Sequence, residues 1–124
     1  MAVNFLGLRS SIYPVSNLAE AKAWWTQALG VEPYFDEPFY VGFNLGGYEL
    51  GLNPDMPGVQ GELPITYWGV DEVATALDSL TADGARVIYG PQDVGMGIVV
   101  ADLQSATGQV FGVIHNPHFV AGSA

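Results

Sequence analysis

The first chemical feature of this chain is an acid with room around it. Glu49 is the only acid in the stretch from Tyr40 to Asn53, YVGFNLGGYELGLN. Gly46 and Gly47 divide that stretch into apolar, aromatic-rich runs, the pattern of a hairpin with a tight turn. A turn at those glycines pairs Leu45 with Tyr48, Phe43 with Leu50 and Val41 with Leu52, which sets one apolar face against a core. The other face pairs Asn44 with Glu49, Gly42 with Gly51 and Tyr40 with Asn53. A carboxylate beside glycines, an amide and a phenol can accept a proton, hold a cation or dock a small molecule. Glu49 is therefore the candidate catalytic residue, with no second acid–base partner identified. Its bland alternative is a solvated carboxylate, or one paired with Asn44.

Other polar groups carry less. His115 and His118 have a ligand-like spacing, but Asn116-Pro117 breaks the strand between them, so no regular geometry aligns the pair. Arg9, Lys22 and Arg86 are the whole cationic complement against 13 acids, giving a formal charge of −10. So few cations cannot track a phosphate backbone, which excludes nucleic acid and disfavours anionic membranes. The acidity favours cationic ligands through steering. With no cysteine there is no disulfide, thiol nucleophile or zinc–thiolate site. No apolar run reaches the roughly 20 residues of a membrane span, and the N-terminus lacks a signal-peptide pattern, so a cytoplasmic protein is expected. P-loop, dinucleotide-fingerprint and Ser-His-Asp patterns are absent.

The elements that must position Glu49 follow from periodicity. Residues 6–15 read as a strand ending near Pro14. Asn17 with Glu20 forms a capping box, and apolar residues at 18, 21, 25 and 28 or 29 make the stripe of a helix that Gly30 ends. Trp25 lies on that stripe, Trp24 about 100° away from it, and both are expected in the core. Val31–Phe35 reads as a short strand and Asp36-Glu37-Pro38 as a turn, before the hairpin. After the connector 55–62, Leu63–Val70 reads as a strand. Asp71 caps a second helix with the stripe Val73, Leu77 and Leu80, stopped by Gly84. Arg86–Tyr89 is then a short strand broken at Gly90-Pro91. Ile98–Gln104 and Gln109–His115 form a second hairpin about Ser105–Gly108. Strand, capped helix and several strands thus occur twice, a repeat of two modules, about 6–54 and 63–118, in one domain.

The segments IYPVSNLAEAKAWWTQALGVEP, FYVGFNLGGYELGL, YWGVDEVATALDSLTADGARV and GQVFGVIHNPHF resemble, in order and spacing, the vicinal-oxygen-chelate superfamily of glyoxalase I, bleomycin-resistance proteins and extradiol dioxygenases. The resemblance implies an α+β fold of two βαβββ modules whose mixed sheet curls around a cleft, usually in a homodimer. It also implies four metal-ligand positions, in the first and last strand of each module. Those positions fall at Ser10, Glu49, Ile65 and Gly112, and only Glu49 is a competent ligand. No metal and no cofactor is therefore expected. Parity adds Tyr40, Asn44 and Tyr67 to Glu49, Ser10, Ile65 and Gly112 as ligand-binding candidates. Trp68 and Val70 turn toward the helices, and Tyr34 and Met96 are placed at the mouth. The expected function is metal-free binding of an apolar or aromatic, cationic small molecule, like the drug-sequestering, antibiotic-resistance branch. The alternative is a glyoxalase-like lyase or isomerase, or a metal-dependent oxygenase with an unusual ligand set.

Overall fold

The computed structural model describes residues 3–55 and 64–120, so the connector predicted over 55–62 lies, apart from Asp55, outside the described residues. The elements run β1 (Gly7–Pro14), α1 (Leu18–Leu29), β2 (Phe35–Glu37), β3 (Tyr40–Leu45) and β4 (Tyr48–Asn53), then β5 (Ile65–Gly69), α2 (Val73–Ala82), β6 (Arg86–Gly95), β7 (Ile98–Gln104) and β8 (Val110–His115). Strand, helix and further strands occur twice, in an α+β fold. The chain divides into two compact units, one built on Ser10–Pro64, the other on Ile65–Phe119 with the segment up to Arg9.

In the first unit the strand order is β2-β3-β4-β1, with β1 parallel to β4 and the other pairs antiparallel. The hairpin has the register its parity dictates: Leu45 opposite Tyr48, Asn44 opposite Glu49, Phe43 opposite Leu50, Gly42 opposite Gly51, Val41 opposite Leu52. Gly46 and Gly47 have φ of 64° and 93°, the left-handed pair that a tight hairpin turn needs. The Asn44 carboxamide oxygen accepts the Gly47 N–H at 2.8 Å and ties the turn to β3. Val41, Phe43, Leu50 and Leu52 are buried, and the α1 stripe of Leu18, Ala21, Trp25 and Leu29 packs on them. Tyr48 departs from this face: beside the turn, beyond the reach of the helix, it is 46% exposed.

The helix starts and stops where its caps are. The Asn17 side chain accepts the Glu20 N–H at 3.0 Å, and Gly30 closes the helix at φ 74°. Trp24 is 61% exposed rather than in the core, because it is one helical step off the buried stripe; its ring meets that of Trp25 edge-on. Between α1 and β3 the expected strand and turn are displaced. Asp36 and Glu37 belong to β2, where Phe35 pairs with Gly42 and Glu37 with Tyr40, and the turn is Pro38-Phe39. Strand pairing, with an ion pair from Lys22 to Asp36, overrides the poor strand preference of two acids.

The second unit has the order β5-β8-β7-β6 and a core of Val70, Val73, Ala76, Leu77, Ala101, Leu103 and Val113. Glu72, not Asp71, is the N-cap of α2; its carboxylate accepts the Thr75 hydroxyl and makes no bond to the helix backbone. Gly84, at φ 100°, ends the helix. β6 does not stop at Tyr89 but continues through the cis Gly90-Pro91 bond to Gly95 with register shifts. As the last strand in this order it tolerates a residue without an N–H. Trp68, expected against the helix, is 36% exposed, and its ring lies 5.6 Å from that of Phe5 at a tilt of 53°.

The closing backbone bonds of the two modules correspond. Val15 N–H reaches Asn53 O at 3.1 Å, and Val70 N–H reaches Ile114 O at 2.9 Å. Counting back along β4 and β8 from those bonds matches Gly51 with Gly112 and Glu49 with Val110. Gly112 is thus not the counterpart of Glu49; the position lies two residues earlier, on an apolar side chain.

Candidate functional site

In the first unit Glu49 sits on β4 between Asn44 of β3 and Ser10 of β1. The face it shares with Gly42 and Gly51 lacks side chains at both glycines, and aromatic side chains use that space. The Tyr40 ring lies over Gly51, where an added Cβ would come within 1.9 Å of the phenol oxygen. Over Gly42, an added Cβ would meet Tyr34 Cε1 at 3.1 Å, Tyr40 Cε2 at 3.3 Å and Glu49 Oε1 at 3.4 Å. Three side chains therefore converge on one glycine. The Tyr34 hydroxyl donates to Glu49 Oε1 and the Tyr40 hydroxyl to Oε2, so each carboxylate oxygen accepts a phenol. Such charge-assisted bonds hold the carboxylate in one orientation.

Tyr34 lies outside any strand, but its N–H donates to Gly42 O at 3.0 Å, which fixes its position beside β3. Its residue surface is 62% exposed while its hydroxyl is turned onto the carboxylate. Loss of solvent, then the Glu49 charge and hydrogen bond, holds this phenol above the usual tyrosine range. It therefore remains a hydrogen-bond donor at neutral pH. Phe35 extends the aromatic surface: its ring lies 6.5 Å from that of Tyr34, 6.0 Å from Tyr40 and 5.9 Å from Phe39. The site is a carboxylate held by two phenols, with the Phe35 ring beside both of them and Phe39 beyond it. Phe35 and Phe39 are not among the residues expected from the sequence. Their signal is the aromatic spacing of YFDEPFY, concealed by an acidic, proline-containing stretch that reads as a turn.

Of the expected site residues, the first unit brings together Ser10, Tyr40, Asn44 and Glu49. Asn44 is engaged in the turn, and Ser10 is half-buried on the neighbouring strand. The remaining three belong to the second unit and form something else. Ile65 is 1% exposed and offers no surface to a ligand. The Tyr67 ring covers Gly112, where an added Cβ would lie 2.3 Å from ring carbons. Tyr67 is also buried, and its hydroxyl donates to Asp102 Oδ1 at 2.5 Å, so neither residue presents a group to a ligand. Burial, then the Asp102 charge and hydrogen bond, holds the Tyr67 phenol above its usual range. Burial likewise pushes the Asp102 carboxyl up, against the opposing effect of the Tyr67 hydrogen bond. Met96, expected at the mouth, tops the β6–β7 turn at φ 57°.

The donor set does not fit the metal that the fold family uses. In the first unit the ligand positions hold Ser10 and a Glu49 whose oxygens both accept phenols. In the second they hold Ile65 and either Gly112 or Val110, none with a lone pair to offer. Among the described residues no group of three or more His, Cys, Asp or Glu could hold a metal ion, and His118 Nε2 lies 2.8 Å from Met96 O instead. Transition-metal sites take three or more such ligands.

Comparison with solved structures gives the same fold at low identity. A variant of the Streptomyces coelicolor methylmalonyl-CoA epimerase in complex with 2-nitronate-propionyl-CoA superposes with a TM-score of 0.77 at 14% identity, over 92% of this chain and 99% of that one. A hypothetical protein from Bacillus halodurans gives 0.73 at 15% over 91% and 96%. The methylmalonyl-CoA epimerase of Mycobacterium tuberculosis gives 0.69 at 16% over 93% and 91%. No curated protein matches the chain. The family model for the Glyoxalase/Bleomycin resistance protein/Dioxygenase superfamily matches residues 7–102, so the chain, with its twice-repeated βαβββ order, belongs to that superfamily.

Proposed function

We propose that this protein binds, without a metal, a cationic small molecule with an aromatic or apolar body at the Glu49 face of the first unit. One observation carries the reading: a half-buried carboxylate oriented by two phenols that lie over Gly42 and Gly51, with further rings beside them. The formal charge of −10 adds long-range attraction for a cation. The same charge argues against the acyl-CoA esters held by the epimerases of like fold, because a CoA moiety carries several phosphate charges. The few cations here are engaged: Lys22 pairs with Asp36, Arg86 donates to Gln104 at 2.8 Å, and Arg9 lies over the Phe119 ring at 3.8 Å.

Isothermal titration with basic aromatic amines, each against its neutral analogue, tests this reading. Cations should bind more tightly, and Glu49→Gln should weaken them by at least about fivefold, the worth of one charge pair roughly 4 Å apart in water. Equal affinities in the wild type and Glu49→Gln would remove the site. We further infer a homodimer, supported by the exposed Phe5, Leu6, Leu8 and Trp68 of the second unit. Light scattering at micromolar concentration that gives the monomer mass would end that part of the reading.

A further inference from the structure

We propose that the Glu49 site selects alkylated ammonium ions, quaternary ones above all, over ammonium ions that donate N–H bonds. This rests on the binding reading above and names its ligand class. A primary ammonium is compact and strongly hydrated, and it leaves water only for acceptors that replace its hydration. At this site each carboxylate oxygen already accepts a phenol, from Tyr34 and from Tyr40. An N–H donor must therefore compete with two phenol donors already in place. Lys22 illustrates the alternative: its ammonium pairs with Asp36 of β2.

A quaternary ammonium has no N–H to satisfy. What attracts it is undirected: the Glu49 charge and the negative faces of aromatic rings within about 6 Å. Both are present in one place. Tyr34, Phe35 and Phe39 are 62%, 38% and 65% exposed, an unusual outlay of aromatic surface beside a single carboxylate. The Phe35 ring stands tilted to those of Tyr34 and Tyr40, at 58° and 59°, so the rings present faces in different directions rather than stacking flat. The Gly42 and Gly51 positions let the phenols lie close to the sheet, with their hydroxyls on the carboxylate. The methyl groups of an alkylated cation make apolar contact with such rings; a bare ammonium does not.

The test compares benzyltrimethylammonium with benzylammonium, which share ring and charge, and with neopentylbenzene, the neutral carbon counterpart of the first. Binding to the full chain is followed by chemical shifts of the tyrosine ring protons. We expect benzyltrimethylammonium to bind about tenfold more tightly than benzylammonium, the worth of two exposed cation–π contacts. Tyr34→Leu with Phe35→Leu should abolish that preference, whereas Glu49→Gln should weaken both cations and leave their ratio. Thermal melts confirm that each variant is folded. Benzylammonium binding as tightly or more tightly overturns the selectivity and leaves the binding reading standing. Neopentylbenzene binding as tightly as the quaternary cation overturns it as well, as does a preference that survives loss of both rings. Failure of both cations to bind at millimolar concentration overturns selectivity and binding reading together.

Discussion

Gly51→Ala is the substitution that most directly tests how the Glu49 site is built. The new Cβ would stand 1.9 Å from the Tyr40 hydroxyl oxygen, 2.6 Å from Cζ and 2.9 Å from Cε1. Heavy atoms need about 3.5 Å, so the phenol must move by roughly 1.5 Å, enough to break its bond to Glu49. A hydrogen bond to a charged group contributes about 1.5–3 kcal/mol. Replacing a strand glycine by alanine returns about 0.5–1 kcal/mol through the unfolded chain. The net expectation is a loss of roughly 1–2 kcal/mol, read as a lower urea midpoint with unchanged slope. The decisive control is the double-mutant cycle with Tyr40→Ala, where the added methyl meets no phenol and should be neutral or stabilising. A Gly51→Ala protein as stable as the wild type, or a cost that persists without Tyr40, would refute the account of this glycine as space reserved for the phenol.

Further outcomes follow from burial and charge. Phe43 is fully buried under α1, so Phe43→Ala should cost about 3–5 kcal/mol by denaturant unfolding; a loss under about 1 kcal/mol would mean the core is elsewhere. Burial raises the Asp102 carboxyl, so its favourable contribution is complete below the unfolded value of about 3.9 and is lost as pH rises through the folded value. Asp102→Asn keeps an acceptor for Tyr67 and should match or exceed wild-type stability at pH 7, with the advantage vanishing toward pH 4; a less stable variant at pH 7 contradicts this. Tyr34 and Tyr67 are both raised, so stability should fall as pH passes about 10, and less steeply in Tyr67→Phe than in the wild type. Equal slopes in alkaline unfolding would show that Tyr67 does not titrate with the fold. Trp24→Lys should change stability by about 0.5 kcal/mol or less, because that ring is mostly in solvent.

What the sequence makes legible is what parity and caps control. The Tyr40–Asn53 hairpin could be paired residue by residue because its turn glycines fix the register and the core demands one apolar face. Asn17 and Gly30 bracket α1 for equally local reasons. Glu49 was visible because it is the one acid on a strand otherwise apolar. Its partners were less visible. Tyr34, Phe35 and Phe39 come from a stretch whose acids and proline obscure strand pairing, and only the bonds to Gly42 and β3 bring them to the site. The misplacement of Gly112 has a related cause. Counting from the Ser105–Gly108 turn uses loop geometry, which differs between the hairpins; counting from the Val15 and Val70 backbone bonds uses the sheet itself.

That correction bears on function as well as on alignment. In both units a glycine at the same strand position, Gly51 or Gly112, gives its space to a tyrosine from a neighbouring strand, and the tyrosine hydroxyl reaches a carboxylate. The outcomes differ because the carboxylates differ in exposure. Asp102 is 4% exposed and Tyr67 closes over Gly112, so that pair completes a buried layer. Glu49 is half-buried, and the second phenol it receives comes from the exposed Tyr34, so its charge remains within reach of a solute. The matched glycines are thus used alike, although the tyrosines and acids come from non-equivalent strands, β3 and β4 in one unit and β5 and β7 in the other, and exposure distinguishes the packed pair from the candidate site. If so, Asp102→Asn should leave cation binding unchanged while Glu49→Gln weakens it; equal losses in both would show that the two carboxylates act on the ligand together.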